Sequence, residues 1–227
     1  MEDHSALFDG LSLGGQPLRN RIVLPPLTRS RADDDGVPTP LMAEYYGQRA
    51  GAGLVISEGA VITPQASAYA RVPGLYSEDQ VTAWGPVVEA AKREGAVVYA
   101  QLWHVGRQSH SSVQPDGLPP KAPSSVAITG YQYRSAAGRI PYETPRELSA
   151  AEIAGIIEAY GAAARNAVRA GFDGVDKEIP PPFFAKLERW HHLSFMNNPT
   201  TLRKLRDLEK EAFEPERIAL FIELIED

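Results

Sequence analysis

Four short apolar runs divide the first three quarters of the chain, and each is typical of a buried β-strand. They lie at residues 22–24, within GLVISEGA (53–60), at residues 97–103 and within FDGVD (172–176). Amphipathic segments of helical periodicity separate them. Strands that alternate with helices in this way predict a parallel sheet with right-handed crossovers. A (β/α)8 barrel and an open doubly wound sheet both fit this pattern.

Helix-capping patterns mark where the intervening helices begin. Thr39 before Pro40 has the form of an N-cap followed by proline at the first helical position, and this helix is expected to run to about Ala50. The two later helices each begin with a capping box, in which a serine is followed three residues later by glutamine or glutamate. These pairs are Ser77 with Gln80 and Ser149 with Glu152.

Two further segments fall outside the alternation of strands and helices. Residues 7–19 alternate apolar and polar positions around Gly-Gly, which predicts a short β-hairpin before the first strand. Residues 108–147 are rich in proline, serine and glycine and are too long for a simple connection. We therefore expect this second segment to form a functional loop.

Composition narrows the classes of protein that the chain represents. It has 227 residues and a net charge of −6, which disfavours binding to nucleic acid or to an anionic membrane, because phosphate-tracking proteins need clustered lysine and arginine. The absence of cysteine excludes disulfides and thiolate metal sites, and the five histidines lack metal-ligand spacing. No apolar stretch approaches a membrane span, and the acidic N-terminus does not resemble a signal peptide. A cytoplasmic protein without a metal site is expected.

The carboxyl ends of the predicted strands carry the candidate chemistry, because the working residues of parallel α/β folds lie there. These ends offer neutral hydrogen-bonding groups: the hydroxyl and backbone of Thr28, the backbone at Gly59 and the amide of Gln101. Trp103 and Tyr69 add aromatic surface. A carboxamide presents a donor beside an acceptor, which suits a planar heterocycle, and a glycine lets the backbone approach such a ring closely.

Four segments together carry a resemblance to a known family. They are LFDGLSLGGQPLRNRIVLPPLTRSRA, ISEGAVITPQASAYARVPGLYSEDQVTAW, VVYAQLWHVGR and ELSAAEIAGIIEAYGAAARNAVRAGFDGV. In order and in spacing, over about residues 7–175, they resemble the N-terminal half of the old yellow enzyme family, the FMN-dependent ene-reductases. The resemblance implies an α/β fold, a (β/α)8 barrel with a capping hairpin at its base, and FMN at the carboxyl end of the barrel.

The resemblance also implies roles for individual residues. The family's contacts with the isoalloxazine ring of FMN are matched by Pro26, Leu27, Thr28, Gly59 and Gln101. The Thr28 hydroxyl is expected at the flavin O4 edge, where it tunes the reduction potential, and Gln101 is expected at the pyrimidine edge. Each of these two residues has a structural alternative, since Thr28 also suits a turn after two prolines and Gln101 also suits a satisfied core amide.

The substrate pocket that the resemblance implies involves Tyr69 and Trp103, with residues 108–147 above it. NADH or NADPH would reduce FMN, and the hydride would pass to a small activated alkene. Trp103 also suits simple packing. At the same strand end, we interpret His104 as a structural residue rather than a ligand.

The regular pattern stops within GFDGVDKEIPPP (171–182). At this point the family carries a His-Asn or His-His pair that anchors the substrate, followed by a tyrosine that delivers a proton. Asp176 holds the family's acidic position, but the sequence after it has no counterpart of the pair, of the tyrosine, or of the basic and glycine residues that hold the flavin N1 region and phosphate. The catalytic residues are therefore unassigned.

Residues 177–227 predict a different kind of structure. Four further strand–helix units need about 120 residues, and this segment is less than half that long. Its leucines, spaced among alternating charges, indicate amphipathic helices. We expect a truncated barrel half at residues 1–176, built from four strand–helix units, and a helical tail at residues 177–227.

Two functions of different classes fit these observations. The first is an FMN-binding oxidoreductase of the ene-reductase type, impaired in this truncated chain. The alternative is a catalytically inactive half-barrel that acts as an assembly or binding module through its C-terminal helices. A chimaeric chain without a selected function is a third interpretation. Because open strand edges pair readily with other chains, we also expect self-association that covers the open barrel edge.

Overall fold

The structure, a computed structural model, describes residues 5–13, 15–129, 132–135 and 138–177. The predicted helical tail, apart from Lys177, lies outside the described residues. The described helices are α1 (Pro40–Gly47), α2 (Glu78–Lys92) and α3 (Ala150–Arg169), with short 3-10 helices at Ser5–Phe8, Pro64–Ala66 and Ser111–Val113. The described strands are β1 (Leu11–Leu13), β2 (Gln16–Leu18), β3 (Val23–Leu24), β4 (Leu54–Ile56), β5 (Ala60–Val61), β6 (Val97–Trp103), β7 (Lys121–Ala122), β8 (Gln132–Ser135), β9 (Gly138–Pro141), β10 (Arg146–Glu147) and β11 (Gly174–Lys177).

A parallel sheet forms the centre of the described structure. Its strands lie in the order β3, β4, β6 and β11, and β5 also pairs with β6. Chain order and spatial order coincide, as a (β/α)8 barrel requires, whereas the order of a doubly wound sheet reverses at a switch point. The predicted α/β class is confirmed, and the strand order agrees with the barrel alternative.

One face of the sheet packs against the helices. Val98 and Leu102 of β6 belong to the larger buried cluster, together with Trp84 of α2. The Trp84 ring is fully buried and meets Phe172 edge-on, with ring centroids 5.2 Å apart, and its Nε1 donates to the Gly74 carbonyl at 3.0 Å. The polar atom of this large side chain is therefore satisfied, so its full apolar area stabilises the contact between α2 and the sheet.

The predicted hairpin covers the other face at the amino end of the sheet. β1 and β2 pair antiparallel, and their leucines form a second buried cluster with Leu54, Val97 and Tyr99. Gly174 lies opposite Tyr99 in the register of β11 and β6. A Cβ at position 174 would lie 2.9 Å from the Tyr99 ring, so the glycine makes room for this aromatic side chain.

Two of the three predicted helix caps are formed, whereas Thr39 precedes α1 without a capping hydrogen bond because its hydroxyl donates to the Arg31 carbonyl at 2.7 Å. Both capping boxes are formed, one at the start of α2 and one at the start of α3. α1 begins at Pro40 as predicted but ends at Gly47, because Arg49 and Ala50 donate to carbonyls three residues earlier and tighten the chain into a turn. None of the described helices is long and apolar enough to cross a membrane.

Residues 108–147, predicted as a loop, contain short regular elements. β7 and β10 form a two-residue parallel pair, and β8 and β9 form an antiparallel hairpin. Tyr133 of β8 is buried and donates to the Ala68 carbonyl at 2.7 Å. Arg107 donates to the Val126 carbonyl. The Tyr133 contact holds the segment against the chain that follows β5, and the Arg107 contact holds it against the chain that directly follows β6.

Candidate functional site

The parallel register brings the carboxyl ends of the strands to one edge of the sheet, called here the carboxyl edge. Asp176 of β11 is the register partner of Gln101 of β6. Ser57 directly follows β4, and its N–H donates to the Tyr99 carbonyl of β6 at 2.8 Å. Residues that are far apart in sequence therefore meet at this edge.

Gln101 lies at the centre of the carboxyl edge and is bonded through its backbone and its side chain. Its N–H donates to Ser57 Oγ at 3.1 Å, and its Nε2 donates to Asp176 Oδ2 at 3.1 Å. Ser57 is fully buried, and its hydroxyl donates in turn to the Glu58 carbonyl at 2.8 Å. The half-buried Gln101 is thus tied to the strands on both sides of β6.

Asp176 is a buried carboxyl group at this edge, with 7% of its surface exposed. Burial raises the pKa of Asp176, and the hydrogen bond from Gln101 acts in the opposite direction. From the sequence, Asp176 was matched only to the acidic position of the family. Its contact with Gln101 depends on the register of β11 against β6, which the sequence pattern does not specify.

Glu58 links the chain after β3 to the chain after β4. Its Oε2 accepts from the Arg29 N–H at 3.0 Å, and its own N–H donates to Tyr46 Oη at 2.7 Å. Glu58 is 1% exposed, and its Oε1 has no hydrogen-bond partner among the described residues. Burial raises the pKa of the Glu58 carboxyl, while the N–H groups of Arg29 and Ser30 lower it.

Glu58 was not among the residues predicted for the site. The sequence did contain a signal for Glu58. This carboxyl residue lies within the apolar run GLVISEGA (53–60), two positions after the fully buried strand β4. The pKa of Tyr46 is held well above its ordinary value, first by burial and then by the negative charge of Glu58. Tyr46 therefore keeps its proton and supports the Glu58 backbone as a neutral group.

Pro26, Leu27 and Thr28 follow β3. Pro26 is half-buried, whereas Leu27 is 48% exposed and Thr28 is exposed. The hydrogen bond from the Arg29 N–H to Glu58 holds the end of this segment beside the end of β4. An apolar side chain and a hydroxyl are thus presented at the carboxyl edge.

Gly59, Trp103 and Tyr69, which were all predicted as site residues, are brought together. A side chain at position 59 would overlap the ring of Trp103, so the glycine is required by this ring as well as suiting a flat ligand. The Trp103 and Tyr69 ring centroids are 6.3 Å apart. Tyr69 in turn stacks on Tyr133, at 6.4 Å with an interplanar angle of 7°.

His110 extends this row of rings, called here the aromatic wall (Trp103, Tyr69, Tyr133 and His110). Its ring centroid lies 5.2 Å from that of Tyr133. Its Nε2 is 3.6 Å from Oε1 of Glu143. The same Oε1 accepts from the Ser111 hydroxyl, and Oε2 of Glu143 accepts from the Ser111 N–H. The segment after β6 therefore supplies two of the four rings and a carboxylate that lies beside one of them.

His104 has the structural role expected for it. Its Nδ1 accepts from the Gly106 N–H at 3.1 Å. Burial lowers the pKa of the His104 ring to about 4, so the ring is neutral at neutral pH. Within the ranges that the structure describes, no three histidine or carboxyl side chains come together in a group able to hold a metal ion.

A cavity of about 180 Å³ lies between the chain after β3 and helix α1. Its lining includes Arg29, Tyr45, Met42 and Glu58. The Arg29 guanidinium lies 4.8 Å from the centre of the Tyr45 ring, a favourable cation–π contact. The predicted flavin contacts are not part of this lining, but Arg29 and Glu58, which directly follow Thr28 and precede Gly59 in the chain, are.

The groups at the carboxyl edge fit a flat heterocycle with a polar rim. Leu27 offers apolar surface and Trp103 an aromatic one, and both are partly exposed. The Thr28 hydroxyl and the Gln101 carboxamide are uncharged and both donate and accept hydrogen bonds. This donor set suits the pyrimidine edge of a flavin rather than a phosphate group, and the individual flavin contacts remain predictions.

Comparison with curated proteins gives a consistent result. Residues 6–178 match the model of the NADH:flavin oxidoreductase / NADH oxidase family. The chain is 41% identical to a probable flavin mononucleotide-dependent alkene reductase of Leishmania infantum, over 73% of this chain and 47% of that protein. It is 42% identical to 12-oxophytodienoate reductase 7 of Oryza sativa subsp. japonica, over 77% of this chain and 45% of that protein.

Solved structures agree. The chain is similar to an old yellow enzyme homologue from Zymomonas mobilis, with a TM-score of 0.71 and 44% identity, over 76% of this chain and 48% of that one. It is also similar to morphinone reductase in complex with tetrahydroNAD, with a TM-score of 0.79 and 40% identity, over 93% of this chain and 62% of that one. The chain spans about half the length of the curated relatives it matches.

Proposed function

The chain belongs to the NADH:flavin oxidoreductase / NADH oxidase family, in line with the predicted resemblance to the old yellow enzymes, and on this premise we propose that it binds FMN and accepts hydride from NADH or NADPH. The flavin would lie at the carboxyl edge. The relatives are about twice as long as the matched region, so the activity of this chain is part of the proposal.

The observation that carries the proposal is the partly exposed Gln101 carboxamide, held from two sides at the carboxyl edge. Gln101 would bind the pyrimidine edge of the ring, and the Thr28 hydroxyl would bind its O4 edge. Pro26, Leu27 and Gly59 would contact the ring system. When bound, FMN supplies the hydride chemistry, while these residues bind and orient the ring.

The proposed substrate is a small activated alkene. One relative is named as an alkene reductase and another as a 12-oxophytodienoate reductase, and we extend the substrate class of an activated alkene to this chain. Trp103 and Tyr69 would face this substrate, because both belong to the aromatic wall beside Gly59. Flat aromatic surfaces favour flat, conjugated ligands and exclude water from them.

We also propose that the activity of the 227-residue chain alone is impaired. The substrate-anchoring pair and the proton-donating tyrosine of the family have no counterpart after Asp176. Tyr133 of the aromatic wall is a poor replacement, because burial raises its pKa to about 12 and its hydroxyl already donates to the Ala68 carbonyl. Proton delivery would then depend on solvent.

Self-association is the second part of the proposal. β3 and β11 are the two edges of the sheet within the described residues, and near β3 the side chains of Ile22 and Val23 are 40% and 45% exposed. An exposed apolar edge favours pairing with another chain, so a second copy would cover it. A catalytically inactive assembly module acting through residues 177–227 is the alternative proposal.

The full chain tests these proposals directly. Purified from a host supplied with riboflavin, it is expected to show the visible absorbance of bound flavin and to lose that absorbance when NADH or NADPH is added without oxygen. Size-exclusion chromatography is expected to show a dimer or larger species. A colourless, folded oligomer would contradict flavin binding and support the assembly module, and a colourless aggregate would contradict both.

A further inference from the structure

We propose that Asp176 is a positioning residue that sets which atom of the Gln101 carboxamide faces the flavin ring. The inference rests on the proposed function, because Gln101 is a proposed flavin contact. Asp176 would act through Gln101 and not on the ring itself. Its role would be to make the site selective for a ring that carries an N–H group at the contacted position.

The contact between the two side chains defines the orientation of the amide. Asp176 and Gln101 are register partners on neighbouring parallel strands, so their side chains leave the sheet on the same face. Gln101 Nε2 lies 3.1 Å from Asp176 Oδ2. In this contact Nε2 is the donor and Oδ2 the acceptor, so the NH2 group of Gln101 faces Asp176 and its carbonyl does not.

The surrounding contacts leave Gln101 little other freedom. Its backbone N–H is bonded to Ser57 Oγ at 3.1 Å, and Ser57 is fully buried. Asp176 is 7% exposed, so water competes weakly for its carboxylate. With the backbone fixed, rotation of the side chain is the main remaining freedom of Gln101, and the bond to Asp176 restricts it.

The consequence for a ligand is chemical selectivity. With Nε2 bonded to Asp176, Oε1 of Gln101 is the atom available to accept a hydrogen bond from a ring. The pyrimidine edge of a flavin presents one donor, N3–H, between two carbonyl acceptors. Oε1 complements N3–H, whereas the opposite amide orientation would place two donors face to face, which is a repulsive arrangement.

The test compares two ligands that differ only at this donor. Riboflavin and N3-methylriboflavin both lack the phosphate group, so their dissociation constants report on ring recognition, and quenching of their fluorescence measures binding to the full chain. For Asp176→Asn, both amide orientations of Gln101 become allowed. The preference for riboflavin over the N3-methyl compound is expected to fall about tenfold from its wild-type value. This factor corresponds to the free energy of one hydrogen bond together with the cost of a mismatched donor.

Two further variants control the comparison. Asp176→Glu keeps the carboxylate and is expected to retain most of the wild-type preference for riboflavin over the N3-methyl compound. Asp173→Asn makes the same change three residues earlier in the chain, where Asp173 accepts from Lys92 Nζ at 2.6 Å and from the Val98 N–H at 2.8 Å. It is expected to lower the stability of the fold but to leave the ligand preference unchanged.

The outcomes separate this inference from the proposed function. If the wild-type chain binds neither compound, flavin binding and the role of Asp176 both fail. If the wild-type chain binds riboflavin and Asp176→Asn keeps the full preference, only the role of Asp176 is overturned. Should Asp176→Asn not fold, hydrogen exchange in the 15N-glutamine-labelled wild-type chain decides: one slowly exchanging Gln101 side-chain proton supports the contact, and fast exchange of both overturns it.

Discussion

At the amino end of the sheet, Leu54, Val97 and Tyr99 lie under the hairpin and form a closed apolar cluster. At the carboxyl end, the same face of β6 continues with Gln101 and Trp103, both half-buried. Alternate side chains of β6 point to the same face at both ends of the strand. The hairpin of β1 and β2 covers this face only at the amino end. One strand face therefore serves as core at one end and as candidate site at the other, and stability and recognition are expected to respond to different residues.

Two glycines that flank β4 show the same contrast. A Cβ at Gly53, on the amino side, would overlap the backbone carbonyl of Asn20, and a Cβ at Gly59, on the carboxyl side, would overlap the ring of Trp103. The Asn20 carbonyl belongs to the turn between β2 and β3, which the Asn20 side chain ties to the Gly51 carbonyl at 2.9 Å. It can move only if this backbone moves, whereas an aromatic side chain can rotate. The amino end should therefore tolerate added volume less well than the carboxyl edge.

The largest effect is expected for Gly53→Ala. Because the added methyl group meets backbone, the free energy of unfolding should fall by at least about 3 kcal/mol, at the upper end of the range for overpacking. Urea unfolding followed by circular dichroism measures it. Gly155→Ala, at an exposed position of α3 with no atom near the added Cβ, is the matched control and should stabilise the chain by about 1 kcal/mol. Equal free energies of unfolding for Gly53→Ala and Gly155→Ala would show that the amino end of the sheet tolerates added volume, which contradicts the prediction.

A smaller loss, about 1 kcal/mol, is expected for Gly59→Ala, because Trp103 can move away from the added methyl group. The displaced ring should change its surroundings, and the tryptophan emission spectrum of the folded variant should shift relative to the wild type. The affinity for riboflavin should fall as well. The opposite result is an unchanged emission spectrum with a stability loss as large as that of Gly53→Ala. It would show that the carboxyl edge is as rigid as the amino end of the sheet.

The smallest effect concerns Glu58 and appears as a pH dependence. Its pKa is raised in the folded chain above the ordinary value of 4.5, so the fold favours the protonated form. The stabilising contribution is complete below about pH 4.5 and is lost as the pH rises through the raised pKa. The stability of the wild type relative to Glu58→Gln should therefore decline from about pH 4.5 towards neutrality.

Denaturant unfolding of both proteins across this pH range measures the difference, and Glu89→Gln at an exposed position of α2 is the control for losing one carboxylate. Parallel pH profiles for the wild type and Glu58→Gln would show that burial does not perturb this carboxyl. A wild type that gains stability over Glu58→Gln with rising pH would reverse the sign and contradict the account.

Local patterns made much of the fold predictable. Capping boxes at Ser77 and Ser149 depend on residues three positions apart, so the starts of α2 and α3 can be inferred from sequence. The short strands within residues 108–147 have no such signal, because tertiary contacts such as that of Tyr133 with Ala68 hold them in place. Their composition alone indicates a loop.

Some features of the candidate site could likewise be predicted from the sequence, and others could not. Thr28, Gly59 and Gln101 follow or end apolar runs, so their location at strand ends can be predicted. The supporting contacts of Glu58 with Arg29 and of Asp176 with Gln101 join different strands. Such contacts depend on how parallel strands align, and because these strands are joined by long crossovers, no short turn in the sequence reveals that alignment.

We propose that the carboxyl edge of the sheet binds FMN and that the apolar cluster at the amino end does not. Fluorescence titration of FMN with the full chain and with the double variant Thr28→Val/Gln101→Leu tests it most directly. Loss of two hydrogen bonds worth about 1 kcal/mol each should weaken FMN binding about thirtyfold while the variant remains folded. Equal affinity of the two chains for FMN, or no binding by the wild type, would contradict the claim.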